Sequence, residues 1–224
     1  KVENGKPTIE WARLKEAVYY GVRFLDNTID VNNFPLAKVE QMSKGTRRIG
    51  LGVMGFADML VKLGIPYNSK EAVELAEQVM QFVNVEAHKA SESLGEEKGS
   101  FPYFEISVWP KRGIKARRNS AVTTIATTGY TSIVANCSSG IEPIYALAFR
   151  RENSMGGTDQ FESNFLFAEV AKARGFYTPE IMQQVVDKGT IKDIAGIPDD
   201  VKRVFATAFD ITPEWHIRIQ AAFQ

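Results

Sequence analysis

The chain has 224 residues, 44% of them hydrophobic and 24% charged, which is ordinary for a globular domain. Lysine plus arginine and aspartate plus glutamate each number 27, so the formal net charge is zero and the composition argues against a nucleic-acid-binding protein. No apolar run approaches the roughly 18 residues of a membrane span and no signal peptide is recognisable, so we expect no membrane partner.

Cysteine and histidine are scarce in this chain. The single cysteine, Cys137, excludes an internal disulfide framework and is typical of a reducing compartment, so we expect a cytoplasmic protein. The two histidines, His88 and His216, are far apart in sequence, and we predict no metal site. The chain starts at Lys1 without an initiator methionine and stops at Gln224 inside a helical pattern, which predicts one incomplete domain over 1–224, cut at both ends.

The first half of the chain is predicted to be mainly helical. Thr8 is a suitable N-cap for a helix whose apolar residues keep helical spacing up to the break at Asn32–Pro35. A second helix is predicted over Phe56–Leu63. A long amphipathic helix follows, with capping-box spacing between Asn68 and Glu71.

The second half is predicted to mix strands and helices. The apolar runs 121–126 and 141–149 are the predicted strands, and a glycine-rich polar turn is expected over 153–158. The segment 159–162 predicts the start of one helix, and Thr212–Pro213 predicts the start of another. Because strands are few and helices many, we expect the α/β fold class.

Gly50, Gly52 and Gly55 form a G-x-G-x-x-G pattern, the fingerprint of dinucleotide-binding folds. That function requires a hydrophobic strand before the first glycine and an acidic residue about 20 positions further on. The preceding segment is polar and basic, and the acidic residues near position 75 lie within a predicted amphipathic helix. We therefore interpret the glycines as small residues that allow close packing. A nicotinamide-dependent dehydrogenase is the weaker alternative, which a helix over 40–48 would eliminate.

The loop Thr127–Ser132 is the better candidate for an anion site. It places hydroxyls and a glycine after a predicted strand, and such turns direct backbone N–H groups at anions. It is not a P-loop, because no Gly-Lys-Thr or Gly-Lys-Ser follows, so binding would depend on neutral donors. Cys137 has no neighbouring histidine or base and is predicted to be a buried, inert thiol. The pairs Arg117–Arg118 and Arg150–Arg151 are either solvated or able to steer a polyphosphate.

Four segments in collinear order resemble the large, catalytic chain of ribonucleotide reductase, and its adenosylcobalamin-dependent class II more than its di-iron-partnered class. They are LDNTIDVNNFP (25–35), TRRIGLGVMGFADMLVKLGIPYNSKEA (46–72), RNSAVTTIATTGYTSIVANCSSGIEPIYALAFRR (118–151) and ITPEWHIRIQAAFQ (211–224). The resemblance covers nearly the whole chain. It implies a ten-stranded α/β barrel made of two half-barrels, of which this helix-rich chain with few strands is most of the C-terminal half.

The same resemblance implies an activity and its partners. The family reduces ribonucleotides to deoxyribonucleotides for DNA replication by thiyl-radical chemistry, and class II implies adenosylcobalamin for the full-length enzyme, with none bound by this chain alone. The residues it implies for substrate-phosphate binding are Thr128, Gly129, Tyr130, Thr131 and Ser132. The catalytic residues lie outside this chain. The implied partners are a ribonucleoside di- or triphosphate, the N-terminal half of the same enzyme and further copies in a homo-oligomer.

Two positions depart from the family pattern of Ala-Pro-Thr-Gly followed by a small hydroxyl residue. Thr127 stands in place of the proline and Tyr130 in place of the small residue, so we expect a freer backbone, a bulkier loop and reshaped phosphate binding. A second interpretation is a non-catalytic fragment or split subunit that completes another polypeptide. An exposed apolar edge would favour it.

Overall fold

The computed structural model describes residues 1–3, 5–154 and 158–224, with side chains described outside 149–162. This part of the chain contains nine α-helices, one 3-10 turn and four short strands. In chain order they are β1 (Val2–Glu3), β2 (Lys6–Pro7), α1 (Trp11–Val31), α2 (Ala37–Thr46), α3 (Phe56–Leu63), α4 (Lys70–Lys98), the 3-10 turn (Pro110–Arg112), α5 (Gly129–Ala135), β3 (Ala148–Ser154), β4 (Thr158–Ser163), α6 (Phe165–Ala173), α7 (Pro179–Lys188), α8 (Asp199–Val204) and α9 (Pro213–Phe223).

The chain divides into two compact units. The first consists of 1–53, 77–126 and residue 223, and the second of 54–76, 127–222 and residue 224. Each has its own apolar core. In the first, buried side chains at helical spacing come from α1 and α4: Val18, Val22, Ile29, Val79, Val83, Ala87 and Leu94. In the second, they include Phe56, Leu60, Leu147, Phe167, Val185, Ile194, Phe205 and Ile219. None of the helices in the described ranges is long and apolar enough to cross a membrane.

The helix starts follow the sequence patterns with small shifts. The helix predicted after Thr8 is α1, but it begins at Trp11 after Glu10, which makes no side-chain cap bond. It ends at Asn32, where the backbone becomes extended, as predicted. At the start of α4 the Ser69 hydroxyl, rather than Asn68, accepts a hydrogen bond from the Ala72 N–H at 3.1 Å.

The predicted strands are mostly wrong. Residues 121–126 form no strand, and among them only Thr123 makes a β-bridge, an isolated parallel one with Leu51. Of the run 141–149, only the last two residues are in a strand, β3, which pairs antiparallel with β4. The helix start predicted at 159–162 is also wrong, because these residues lie in β4, but the helix predicted to run on through Phe165 and Val170 is present as α6. The predicted turn at 153–158 lies in part outside the described residues.

Helix α6 begins instead at Phe165. The side chain of Asn164 accepts a hydrogen bond from the Phe167 N–H at 3.1 Å, so this helix does have a side-chain N-cap, two residues beyond the acidic segment that suggested one. The predicted start at Thr212–Pro213 is confirmed by α9, which has Pro213 at its first position.

A buried ionic network holds the first unit together. Asp26 is fully buried, and its Oδ1 accepts hydrogen bonds from Arg47 Nε at 2.8 Å and Asn119 Nδ2 at 2.9 Å. Its Oδ2 accepts from Arg118 Nε at 3.1 Å. Arg47 also binds Asp30 at 2.7 Å, and this hydrogen bond lowers the pKa of the Asp30 carboxyl. The buried charges are thus opposed and hydrogen-bonded, as burial of charge requires.

Arg117 is also buried in the first unit. Its guanidinium lies 3.7 Å from the centre of the Trp109 ring, and its Nη1 is 2.6 Å from His88 Nδ1. Burial, together with the charges of Arg117 and Arg112, lowers the pKa of His88 to about 4, so the imidazole is neutral near pH 7. The expectation that Arg117–Arg118 is a solvated or phosphate-steering pair is therefore wrong, because both side chains are engaged in the scaffold. The side chains of Arg150 and Arg151 lie outside the described ones.

The G-x-G-x-x-G pattern serves packing. Helix α2 occupies 37–46, where a dinucleotide fold requires a strand, and this helix eliminates the dehydrogenase alternative. A Cβ on Gly52 would lie 2.8 Å from the Thr124 carbonyl oxygen, and one on Gly50 would lie 2.7 Å from Thr124 Cγ2. The interpretation that these glycines allow close packing against a neighbouring segment is confirmed.

Candidate functional site

The predicted anion loop leads directly into the short helix α5. Thr128 precedes this helix in the left-handed conformation, with φ of 49°, which is uncommon for a residue with a Cβ. Helix α5 starts at Gly129, and a Cβ built there would meet nothing within 4 Å. The N–H groups of the first helical turn, at 129–131, have no carbonyl partner within the helix, so they are the donors that this loop can offer.

The side chains of the loop differ in what they can offer. Tyr130 is 89% exposed, and its phenol is open to solvent. Thr131 Oγ1 donates to the Thr128 carbonyl at 3.2 Å. Ser132 is buried, and both its hydroxyl and its N–H donate within the helix, to the carbonyls of Gly129 at 2.9 Å and Thr128 at 2.8 Å. Four of the five predicted site residues, Thr128 to Thr131, therefore present a donor group or open backbone at the surface of the loop.

A second loop, Ser138–Gly140, is bound to the start of helix α3. Gly55, in the left-handed conformation with φ of 78°, donates its N–H to the Ser138 carbonyl at 2.8 Å. Asp58 and Ser138 bind each other twice: the Ser138 N–H donates to Asp58 Oδ2 at 2.7 Å, and the Asp58 N–H donates to Ser138 Oγ at 3.2 Å. These residues are 80 positions apart in sequence.

The two loops are joined by hydrogen bonds. Ser139 Oγ donates to the Thr127 carbonyl at 2.5 Å, and the Gly140 N–H donates to Thr128 Oγ1 at 2.7 Å. The Thr128 hydroxyl thus accepts one bond and keeps its own hydrogen as a donor. Beyond the second loop, Tyr67 Oη donates to the Ile141 carbonyl at 2.8 Å. Burial, and then the charge of Glu142, raise the pKa of the Tyr67 phenol, which keeps it a neutral donor.

The electrostatics around the second loop depend on Asp58. Its carboxyl is buried, and Oδ1 has no hydrogen-bond partner among the described residues. Burial raises the pKa of this carboxyl above its ordinary value, although the Ser138 N–H and the charge of Lys62 act in the opposite direction. Burial, and then the charge of Asp58, raise the pKa of the Cys137 thiol. The raised pKa disfavours the thiolate, as expected of an inert thiol, but Cys137 is half-buried and not buried as predicted.

Sequence reasoning missed Asp58 and Tyr67. Asp58 is the only charged residue in the run GFADML, and an acidic side chain in such an apolar segment is a signal of a buried polar contact. Tyr67 had no comparable signal. The described residues contain no group of three or more His, Cys, Asp or Glu side chains that could hold a metal ion.

Comparison with known proteins identifies the family. The sequence profile of the ribonucleotide reductase barrel domain matches residues 1–117 and 111–224. A vitamin B12-dependent ribonucleoside-diphosphate reductase of Thermoplasma acidophilum is 51% identical over 223 residues, which is 100% of this chain and 28% of the relative. An enzyme of the same name from Mycobacterium tuberculosis is 43% identical over 96% of this chain and 31% of its own length. The chain thus spans less than a third of these relatives.

A solved structure agrees with the profile. The alpha subunit of the Actinobacillus ureae class Id ribonucleotide reductase matches with a TM-score of 0.70, at 20% identity, over 93% of this chain and 38% of that chain. At this identity the match shows a common fold, and it confirms the expected helix-rich α/β barrel segment with few strands. The resemblance to the large reductase chain, most of all to its B12-dependent class, is confirmed by the named relatives. The chain therefore belongs to the ribonucleotide reductase barrel-domain family.

Proposed function

We propose that this chain is the barrel segment of an adenosylcobalamin-dependent ribonucleoside-diphosphate reductase and that it contributes the loop that binds the substrate phosphates. The observation that carries the proposal is the match over the whole chain to relatives named vitamin B12-dependent ribonucleoside-diphosphate reductases. Residues 1–224 form, in this proposal, one incomplete domain, most of the C-terminal half-barrel. Its partners are the ribonucleotide, the N-terminal half of the same enzyme and further copies in a homo-oligomer.

Phosphate binding at this loop uses neutral donors. The backbone N–H groups at 129–131 face outward from the first turn of α5, and each can donate to a phosphate oxygen. The Thr128 hydroxyl adds a donor, because its oxygen accepts a hydrogen bond from the Gly140 N–H while its own hydrogen can still donate. The exposed Tyr130 phenol can add another. Ser132 supports the turn through its bonds within the helix, so its contribution is to the shape of the loop.

The radical chemistry belongs to other parts of the enzyme. The proposal assigns no catalytic residue to this chain, and Cys137 remains a protonated thiol. Adenosylcobalamin supplies the radical when it is bound to the full-length enzyme. The N–H and hydroxyl donors of the loop suit phosphate oxygens, and the proposal assigns residues 1–224 no contact with the cofactor. The chain acts by holding the nucleotide at its phosphate end, in the cytoplasm, in support of DNA synthesis.

A matched pair of hydroxyl deletions tests the phosphate site. In the reductase polypeptide that contains this segment, we expect adenosylcobalamin-dependent formation of deoxyribonucleoside diphosphate. Thr128→Val should raise KM for the ribonucleoside diphosphate about tenfold, because a donor and the acceptor for the Gly140 N–H are both lost. Thr28→Val has the same change of shape, but the Thr28 hydroxyl donates to the Leu25 carbonyl within α1, outside the loop, so KM should stay within about twofold.

Two results would contradict the proposal. Reduction of ribonucleotides by the wild-type polypeptide without adenosylcobalamin would exclude the B12-dependent assignment. Equal KM values in the two valine variants would exclude a special role of Thr128 in the phosphate site.

A non-catalytic split subunit that completes another polypeptide is a second candidate function. It is favoured by exposed apolar side chains: on α5, Tyr130, Ile133 and Val134 are 89%, 70% and 89% exposed, and on α1, Tyr20, Phe24 and Val31 are 67%, 68% and 80% exposed. Sedimentation of the 224-residue chain, alone and mixed with an N-terminal half-barrel polypeptide, tests it. A chain that remains monomeric in both samples would rule it out.

A further inference from the structure

Asp58 is an unusual residue in an apolar segment. It lies in the first turn of α3, it is 5% exposed, and within the described ranges one of its carboxylate oxygens has no hydrogen-bond partner. A buried carboxylate with an unpaired oxygen is unfavourable for folding, since its desolvation is only partly offset. Such a residue is expected to do something that an apolar side chain at the same position could not.

The contacts of Asp58 show what it does locally. It receives the Ser138 N–H and donates its own N–H to Ser138 Oγ. The neighbouring N–H groups of α3 add two bonds, from Gly55 to the Ser138 carbonyl and from Phe56 to the Gly140 carbonyl at 3.4 Å. The start of α3 and the loop Ser138–Gly140 are therefore joined by several hydrogen bonds, and the Asp58 carboxylate is the side-chain acceptor for the Ser138 N–H.

The loop Ser138–Gly140 in turn binds the residues just before α5. Ser139 binds the Thr127 carbonyl, and the Gly140 N–H binds Thr128 Oγ1. Thr128 has a left-handed backbone, which is strained for a β-branched residue and persists only where neighbours impose it. Because the backbone of Thr128 sets the direction of the N–H groups that follow, the two bonds from the second loop determine where those donors point.

We propose that Asp58 is a positioning residue for the substrate-phosphate loop: it acts through Ser138–Gly140 to hold Thr128 in its left-handed conformation, so that the N–H groups at 129–131 are preorganised for a phosphate. The inference rests on the proposed function. Preorganisation lowers the entropy lost on binding, so the loop can bind an anion without a lysine or arginine. It also offsets the absence of proline at position 127, which would otherwise restrict this backbone.

Three variants test the inference in the full reductase polypeptide. Asp58→Ala removes the acceptor and should raise KM for the ribonucleoside diphosphate about tenfold, with kcat within about threefold, because chemistry takes place elsewhere. Asp58→Asn keeps an oxygen for the Ser138 N–H and should restore KM to within about twofold of wild type. Asp199→Ala is the matched control, since Asp199 also lies in the first turn of a helix, α8, but is exposed, so KM should not change.

The outcomes are distinguishable. A folded Asp58→Ala enzyme with wild-type KM overturns the inference, and so does an Asp58→Asn enzyme that loses as much as the alanine variant. If Asp58→Ala does not fold, Ser139→Ala decides, because it breaks only the bond to the Thr127 carbonyl. It should raise KM at least about threefold, and an unchanged KM overturns the inference.

A substrate-free measurement separates this inference from the proposed function. Amide hydrogen exchange in the absence of nucleotide should be at least about tenfold faster at Ser138 and Gly140 in Asp58→Ala than in Asp58→Asn. Equal exchange overturns the positioning role even in an active enzyme. If the wild-type polypeptide reduces no ribonucleotide and the exchange difference is still present, the proposed function fails and the link between the loops stands.

Discussion

Asp26 in the first unit and Asp58 in the second are both buried carboxylates, but their surroundings differ. Asp26 receives hydrogen bonds at both oxygens, from Arg47, Arg118 and Asn119. Asp58 accepts one backbone N–H, and its other oxygen has no partner in the part of the chain that the structure describes. The carboxylate of Asp26 is fully compensated, and its network specifies a rigid scaffold. The carboxylate of Asp58 is not, and it contacts the loop next to the one proposed to bind an anion.

The largest expected effect concerns the compensated network. Arg47→Ala leaves Asp26 and Asp30 without their shared guanidinium, so the free energy of unfolding should fall by about 3–5 kcal/mol, measured by urea denaturation. Arg174→Ala is the control, because Arg174 pairs with Asp200 at an exposed site, and it should cost less than about 1 kcal/mol. Similar losses in the two variants would show that the buried network adds no more than a surface pair.

A smaller effect compares a glycine from each unit. Gly52→Ala would bring a Cβ to 2.8 Å from the Thr124 carbonyl oxygen, so the free energy of unfolding should fall by about 1–3 kcal/mol. Gly129→Ala meets nothing within 4 Å at the start of α5 and should change it by less than about 1 kcal/mol. Equal costs in urea denaturation would remove the distinction between a packed scaffold glycine and an open loop glycine.

The smallest expected effect is a change in the free energy of unfolding with pH, which has opposite signs for His88 in the first unit and Asp58 in the second. The pKa of His88 is lowered from 6.5 to about 4, so the unfolded chain binds a proton between these values that the folded chain does not. Stability should therefore fall as the pH drops from 6.5 to 4, by at most about 2 kcal/mol after allowance for partial exposure, and His88→Gln should remove this loss.

The pH dependence of stability expected from Asp58 has the opposite sign. Its pKa is raised from 3.8, so the stability it contributes is present below that value and is lost as the pH rises through the folded pKa. Asp58→Asn should flatten this loss. Urea denaturation of both variants from pH 3.5 to 7 tests the pair, and slopes of the same sign would contradict the assigned protonation behaviour.

Much of the fold followed from local pattern. The apolar spacing of Val18, Val22 and Ile29 predicts the buried face of α1, because a helix places such residues on one side whatever packs against them. The start of α9 followed from Thr212–Pro213. The strand predictions failed because a short apolar run has no periodicity of its own, and its state depends on a partner. In the part of the chain that the structure describes, the bridge between Thr123 and Leu51 is isolated, so 121–126 belongs to no sheet.

By itself, the sequence determined the family, the helices with strong periodicity and the loop that we propose for phosphate. Those conclusions depend on residue types and spacings along the chain. Only the tertiary structure decided that Asp58 holds Ser138, 80 residues away, and that Arg117 is buried against Trp109 instead of steering a ligand. Hydrogen bonds and ring contacts between distant segments exist only once the backbone has brought them together. A local sequence pattern cannot predict these contacts, since the same residues would be solvated in an extended chain.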